Sequence, residues 1–148
     1  AGKEPYGTVS VDYTPNLRGC EVPADKIASI VDEIPVLSLV AAHARGVTVF
    51  REVGELRVKE TDRLEAVVEG MSSLGVDAWV EGNDLFIEGQ PDLVVPDAAS
   101  FDSKGDHRLA MTWALVGLTG DSSVSVANFD SVKISYPQFL SDIERLAR

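Results

Sequence analysis

The chain has 148 residues, 45% of them hydrophobic and 25% charged, with a formal net charge of −11 at pH 7. This size suits one domain with a sizeable core, and the acidic balance argues against nucleic acid, which is held through excess Lys and Arg. No apolar run approaches the roughly 20 residues that cross a bilayer, and the one cysteine, Cys20, excludes an internal disulfide and a Cys-rich metal site.

In chain order, Tyr6–Tyr13 alternates loosely and reads as a strand, and Pro15–Pro23 as a loop broken by Gly19. Cys20 in that loop reads as a small apolar filler. Ile27–Ala44 has helical composition and stops at Arg45-Gly46, where glycine supplies a cap. Pro35 interrupts it, so the ordered helix is expected to begin near Asp32 or Glu33. Its body, Val36–Ala42, is apolar on nearly every face and predicts burial on all sides. A strand follows at Val47–Val53. The next helix, Thr61–Leu74, carries Leu64, Val67, Val68, Met71 and Leu74 at helical spacing. Asp77–Gly82 and Asp84–Gly89 alternate around Gly82-Asn83 and predict a hairpin.

After Gly89 the pattern half-repeats. Leu93-Val94-Val95 is a short strand candidate, Pro96–Gly105 a polar loop, Arg108–Leu118 a helix closed by Thr119-Gly120-Asp121, and Ser123–Phe129 a strand. Pro137–Arg148 reads as a final helix with Phe139, Leu140, Ile143 and Leu146 on one face. The expected fold class is α/β, or α+β by some schemes. Residues 1–90 form a complete βαβαββ unit and 91–148 an incomplete βαβα unit in a single domain, with helices packed under sheets.

Two charge clusters sit at helix starts, where unpaired backbone N–H groups suit an anion and a proton-transfer group. The first is Leu56–Leu64, which holds Arg57, Lys59, Glu60, Asp62 and Arg63. The second is Asp106-His107-Arg108. In that order they point to chemistry on a doubly anionic small molecule. Glu60 and Arg63 share a helix face, and fit either a general acid or base with an anion clamp or an exposed ion pair. Asp106 fits either a relay beside Arg108 or a helix N-cap. Arginine is suited to planar, bidentate recognition of carboxylate or phosphate. Asp32-Glu33 fits either a tuned base or a complement to the helix dipole. His43 reads as a satisfied core or boundary histidine, and Trp79, Phe86 and Trp113 as packing residues. Metal-ligand spacing and glycine-rich phosphate loops are absent from the sequence.

With those residues identified, the sequence resembles the C-terminal part of the enolpyruvyl-shikimate-phosphate synthase family. Arg57-Val58-Lys59-Glu60-Thr61-Asp62-Arg63-Leu64 is similar to that family's most distinctive motif in this half. Asp106-His107-Arg108-Leu109-Ala110-Met111, Asp32-Glu33-Ile34-Pro35 and Ser135-Tyr136-Pro137-Gln138-Phe139 resemble three further motifs. The resemblance implies one globule of a two-globule enolpyruvyl transferase, with an active site between globules and no cofactor. It implies phosphoenolpyruvate and shikimate 3-phosphate as ligands and the missing N-terminal globule as partner. That globule would carry the shikimate-phosphate residues, and a further arginine and lysine for phosphoenolpyruvate.

By the same resemblance, Asp32 accepts the proton of the attacking hydroxyl and Glu60 donates one to the methylene carbon. Arg63 and Arg108 clamp the carboxylate and phosphate, His107 lines that site, and Lys59 contacts the shikimate substrate. Two departures stand out. Ile134 holds the place of a family lysine, with Lys133 one residue earlier, and Glu55 stands where some members have an asparagine. Two alternatives share the fold: the related UDP-N-acetylglucosamine enolpyruvyl transferase, and a non-catalytic interaction domain. The start, Ala1-Gly2-Lys3-Glu4-Pro5, resembles no export signal, and cytoplasmic localisation is expected.

Overall fold

A computed structural model describes residues 7–8, 10–119 and 122–146. The first unit begins with a short strand, β1 (Glu21–Val22), inside the segment read as a loop. The described part of Tyr6–Tyr13 is not a strand; Tyr6 and Val9 lie outside the described residues. Val11 and Tyr13 are almost fully exposed, so their alternation finds no sheet to face.

Two helices then replace the single one expected. They are α1 (Ala24–Ile30) and α2 (Ile34–Ala42), joined by a 3-10 turn at Val31–Glu33. Pro35 falls in the first turn of α2, where its missing N–H costs nothing and its ring bars an α-helix from running through. Burial of α2 is not complete: Ile34, Ser38, Leu39, Ala41 and Ala42 are buried, but Val40 is 46% exposed.

The chain continues through β2 (Gly46–Phe50), a 3-10 turn at Gly54–Val58, α3 (Arg63–Ser73), β3 (Ala78–Glu81) and β4 (Asp84–Gly89). The strand order is β1-β2-β4-β3. β1 runs parallel to β2, and the other pairs are antiparallel. This is the βαβαββ order, with β1 supplying its first strand. Gly82 alone turns the hairpin through a positive φ of 62°.

The second unit is β5 (Ala99–Asp102), α4 (His107–Val116), β6 (Val124–Ala127), α5 (Val132–Ser135) and α6 (Phe139–Leu146). β5 and β6 pair in parallel. β5 lies within the expected polar loop, and Leu93-Val94-Val95 is not a strand. Only Ala99 and Phe101 turn inward, so short polar neighbours at Ser100 and Asp102 masked the alternation. Val94 is largely exposed. On α6, Phe139 is buried and Ile143 packs beside it, while Leu140 and Leu146 face outward. Gly120, Asp121, Ala147 and Arg148, parts of the expected helix ends, lie outside the described residues. No described helix is long and apolar enough to cross a membrane.

The core joins both units through α2, α3 and α4, which pack on one another. Leu39, Leu64, Val67, Met71, Leu85, Ile87, Leu109 and Trp113 lie in one cluster. Trp113 stacks on Phe101 at 5.0 Å between ring centres. Its indole fits over α3 because position 70 is glycine; a Cβ there would lie 2.2 Å from the ring. Close approach of α3 and α4 brings their N-termini together beside the turn before α2.

Candidate functional site

Three N-terminal regions converge on one side chain, Arg63. Asp62 caps α3 by accepting the Glu65 N–H at 2.9 Å, which puts Arg63 in the first turn. The guanidinium is 1% exposed. Its Nε donates to Asp106 Oδ2 at 2.7 Å, its Nη1 to Asp32 Oδ1 at 2.8 Å, and its Nη2 to Glu60 Oε2 at 2.5 Å. Burial disfavours a charged guanidinium, yet hydrogen bonds and attraction from Asp106, with Glu60 and Asp32, outweigh it and raise the Arg63 pKa. The exposed-pair alternative for Glu60 and Arg63 therefore fails. Their i,i+3 contact is one edge of a network whose centre is dry.

Asp32 is the second node. Its carboxylate lies 3.5 Å from Arg108 Nη2 and 3.6 Å from Lys59 Nζ, besides bonding Arg63. Arg108 Nη1 donates to the Asp32 carbonyl at 3.2 Å and to Glu33 Oε1 at 3.3 Å. Partial burial opposes ionisation of Asp32, but Arg108, Arg63 and Lys59 prevail and hold its pKa below the usual carboxylate value. Lys59 also pairs with Glu55, and that bond is the main reason its pKa is raised.

Asp106 serves α4 and Arg63 at once. Oδ1 accepts the backbone N–H groups of Arg108 and Leu109 at 2.8 and 3.2 Å, the N-cap arrangement. Oδ2 takes Arg63 Nε. Of the two readings for Asp106, the geometry shows the helix N-cap, and the second oxygen also holds Arg63. His107 follows in the first turn, partly buried.

Asp32, Lys59, Glu60, Arg63, Asp106 and Arg108 form one connected cluster, with His107 beside it in the chain. Lys133 does not join them: it lies on α5, 74% exposed, and pairs with Asp130. Glu33 and Glu55 are members that the motifs did not assign. Three cations (Lys59, Arg63, Arg108) and five carboxylates (Asp32, Glu33, Glu55, Glu60, Asp106) give the cluster a formal charge of −2. Among the described residues no group of His, Cys, Asp and Glu is arranged to hold a metal. A groove of about 210 Å³ opens beside the cluster, lined by Asp32, Glu33, Val36, Arg108, Met111 and Phe139.

Two residues differ from expectation, Cys20 in its exposure and His43 in its unsatisfied ring nitrogen. Cys20 is exposed, because the chain around it runs along the sheet edge and is not folded under it. His43 is only partly buried, and its Nε2 has no hydrogen-bond partner among the described residues. Burial lowers its pKa and favours the neutral ring.

The fold and cluster define an α/β globule that gathers acids and guanidinium groups at helix N-termini. The family profile of EPSP synthase (3-phosphoshikimate 1-carboxyvinyltransferase) matches residues 3–143. A 3-phosphoshikimate 1-carboxyvinyltransferase of Persephonella marina is 40% identical over 97% of this chain and 33% of its own length. One from Roseiflexus sp. is 41% identical over 99% of this chain and 33% of its own. The 2.37 Å structure of EPSP synthase from Acinetobacter baumannii superposes with a TM-score of 0.81 at 31% identity, covering 88% of this chain and 30% of that one. The chain belongs to the EPSP synthase family. It spans about a third of the length of the curated relatives it matches.

Proposed function

We propose that this chain is the acid, base and clamp portion of a 3-phosphoshikimate 1-carboxyvinyltransferase, a fragment of its C-terminal globule. The observation that supports this most is convergence. Asp32, Glu60, Arg63 and Arg108 come from three N-terminal regions and meet within hydrogen-bonding distance.

In this reading the shikimate 3-phosphate hydroxyl attacks the central carbon of phosphoenolpyruvate. A C–O bond forms, the hydroxyl proton passes to Asp32, and Glu60 delivers a proton to the methylene carbon. The resulting intermediate keeps its carboxylate and phosphate. Arg63 and Arg108 neutralise these, while Lys59 and His107 line the substrate side. Phosphate then leaves with a proton from a further donor while the Glu60 carboxylate takes back a methyl proton, which restores the enol ether. Arg63 still has donors to offer: of five guanidinium N–H groups three are engaged, and Glu60, its most exposed partner, can swing away. No cofactor is required. Lys133 has no role here, because its ammonium is engaged outside the cluster.

The negative balance of the cluster argues that a dianionic ligand needs cations from the missing N-terminal globule. Alone, the chain should therefore bind phosphoenolpyruvate weakly and turn nothing over, since orientation contributes much of such catalysis. The same reading puts the reaction in the cytoplasm. The test mixes this chain with the remainder of the enzyme and measures phosphate release, then repeats it with Glu60→Gln and Asp32→Asn. Release in the wild-type mixture and a loss of at least a hundredfold in each variant are expected. Full activity in either variant removes that residue from its role.

A further inference from the structure

Asp106 is a costly residue to keep. Its side chain is fully buried, and a buried ion pair contributes little that well-packed apolar side chains would not. It is also inaccessible to a ligand, so it neither touches substrate nor exchanges a proton with it. What it does is geometric. One oxygen fixes two of the free N–H groups in the first turn of α4, those of Arg108 and Leu109. The other fixes Nε of Arg63 on α3. Arg63 and Arg108 then meet again at Asp32, through its side chain and its carbonyl respectively. The contacts close a ring that runs Arg63, Asp106, α4, Arg108, Asp32 and back to Arg63.

The turn that presents Asp106 is anchored as firmly. Its N–H donates to the Ser103 carbonyl at 2.8 Å. The Ser103 hydroxyl, itself buried, lies 3.0 and 3.1 Å from the carbonyls of Ala127 and Asn128, at the end of β6. Lys104 and Gly105 take positive φ values of 52° and 80° to make that turn. The Asp106 N–H bond and the buried Ser103 hydroxyl thus hold one carboxylate in register with α3.

We propose that Asp106 is a positioning residue that sets the two guanidinium groups of the anion clamp relative to one another. The proposal rests on the clamp reading above. A carboxylate meets both demands because each oxygen accepts. An asparagine has one accepting oxygen and one donating NH2, so it serves the cap or Arg63 but not both. Serine caps the helix but is too short for Arg63.

The test uses Asp106→Asn and Asp106→Ser, read in two ways. First, exchange of the Arg63 Nε–H with solvent is followed by arginine-labelled NMR in this chain, alongside amide exchange in α4. In both variants the Arg63 Nε–H should exchange at least tenfold faster, with α4 amides still protected. Second, the variants are placed in a full-length chain carrying this sequence and assayed by phosphate release. The KM for phosphoenolpyruvate should rise at least tenfold, while that for shikimate 3-phosphate stays within twofold. A merely structural role would lower kcat through the folded fraction and leave both KM values alone. Unchanged Arg63 exchange in both variants, or a fall in kcat without the KM split, overturns the proposal. If the wild-type full-length chain releases no phosphate, the functional reading fails instead, and the exchange measurement still decides whether Asp106 holds Arg63.

Discussion

Replacing Arg63 by Met is the sharpest test of how this cluster is held together. The substitution removes three charge-assisted bonds, but the partners lose unequally. Side chains of Asp32 and Glu60 are 39% and 54% exposed and can turn to water. Asp106 is fully buried and cannot. It is left as a buried charge whose second oxygen has no donor. Breaking one side of a buried pair costs about 3–5 kcal/mol, a large fraction of a total stability of about 5–15 kcal/mol. With a urea slope of about 2 kcal/mol/M, the unfolding midpoint should fall by about 2 M. Adding Asp106→Asn to Arg63→Met removes the stranded charge while an amide oxygen keeps the cap. The double variant should recover part of the loss. A cost below about 1 kcal/mol for Arg63→Met, or a double variant worse than the single one, would refute the idea that the orphaned Asp106 charge dominates.

Two further outcomes follow from the same geometry. Gly70→Ala should destabilise by up to about 2 kcal/mol in urea unfolding: overpacking against Trp113, whose ring a Cβ would meet at 2.2 Å, costs about 1–3 kcal/mol against a gain of about 1 kcal/mol in helix propensity. A net gain would show that the indole moves freely. Acid should also weaken the fold in a defined direction. Asp32 is depressed in the folded state despite its partial burial, because Arg108, Arg63 and Lys59 favour its charge. Its contribution is therefore present above the unfolded value of about 3.9 and is lost as pH falls through the folded value. Asp84, held by the Glu52 N–H and Arg51, and Asp102, held by the Lys104 N–H and Asn128, act in the same direction. Urea midpoints measured from pH 6 downward should fall less steeply in Asp32→Asn; an unchanged slope would remove Asp32 from the acid limb.

Local chemistry made much of this molecule legible in one dimension. The apolar stripe of α3, the Gly82-Asn83 hairpin, the Asp106 cap and the Pro35 break each depend on residues within a turn or two of one another. Segments whose structure depends on a distant partner were misread. Tyr6–Tyr13 and Leu93–Val95 have strand-like composition but are not strands where the structure is described. β1 and β5 lack that composition, yet lie beside β2 and β6 and form strands. Backbone pairing rewards proximity as much as side-chain pattern.

The same division runs through the cluster. Its acids and arginines stood out because charge was crowded at helix starts, and the family motifs named them. Their pairing was invisible: Arg63 reaches Asp32 across 31 positions and Asp106 across 43, while Arg108 reaches Asp32 across 76. Residue types and helix ends are short-range properties, written in neighbouring letters. Whether Arg63 sits in a weak surface pair with Glu60 or at the buried centre of a network depends on how much water remains around its guanidinium. The packing of α2, α3 and α4 excludes that water, and only the assembled core settles it.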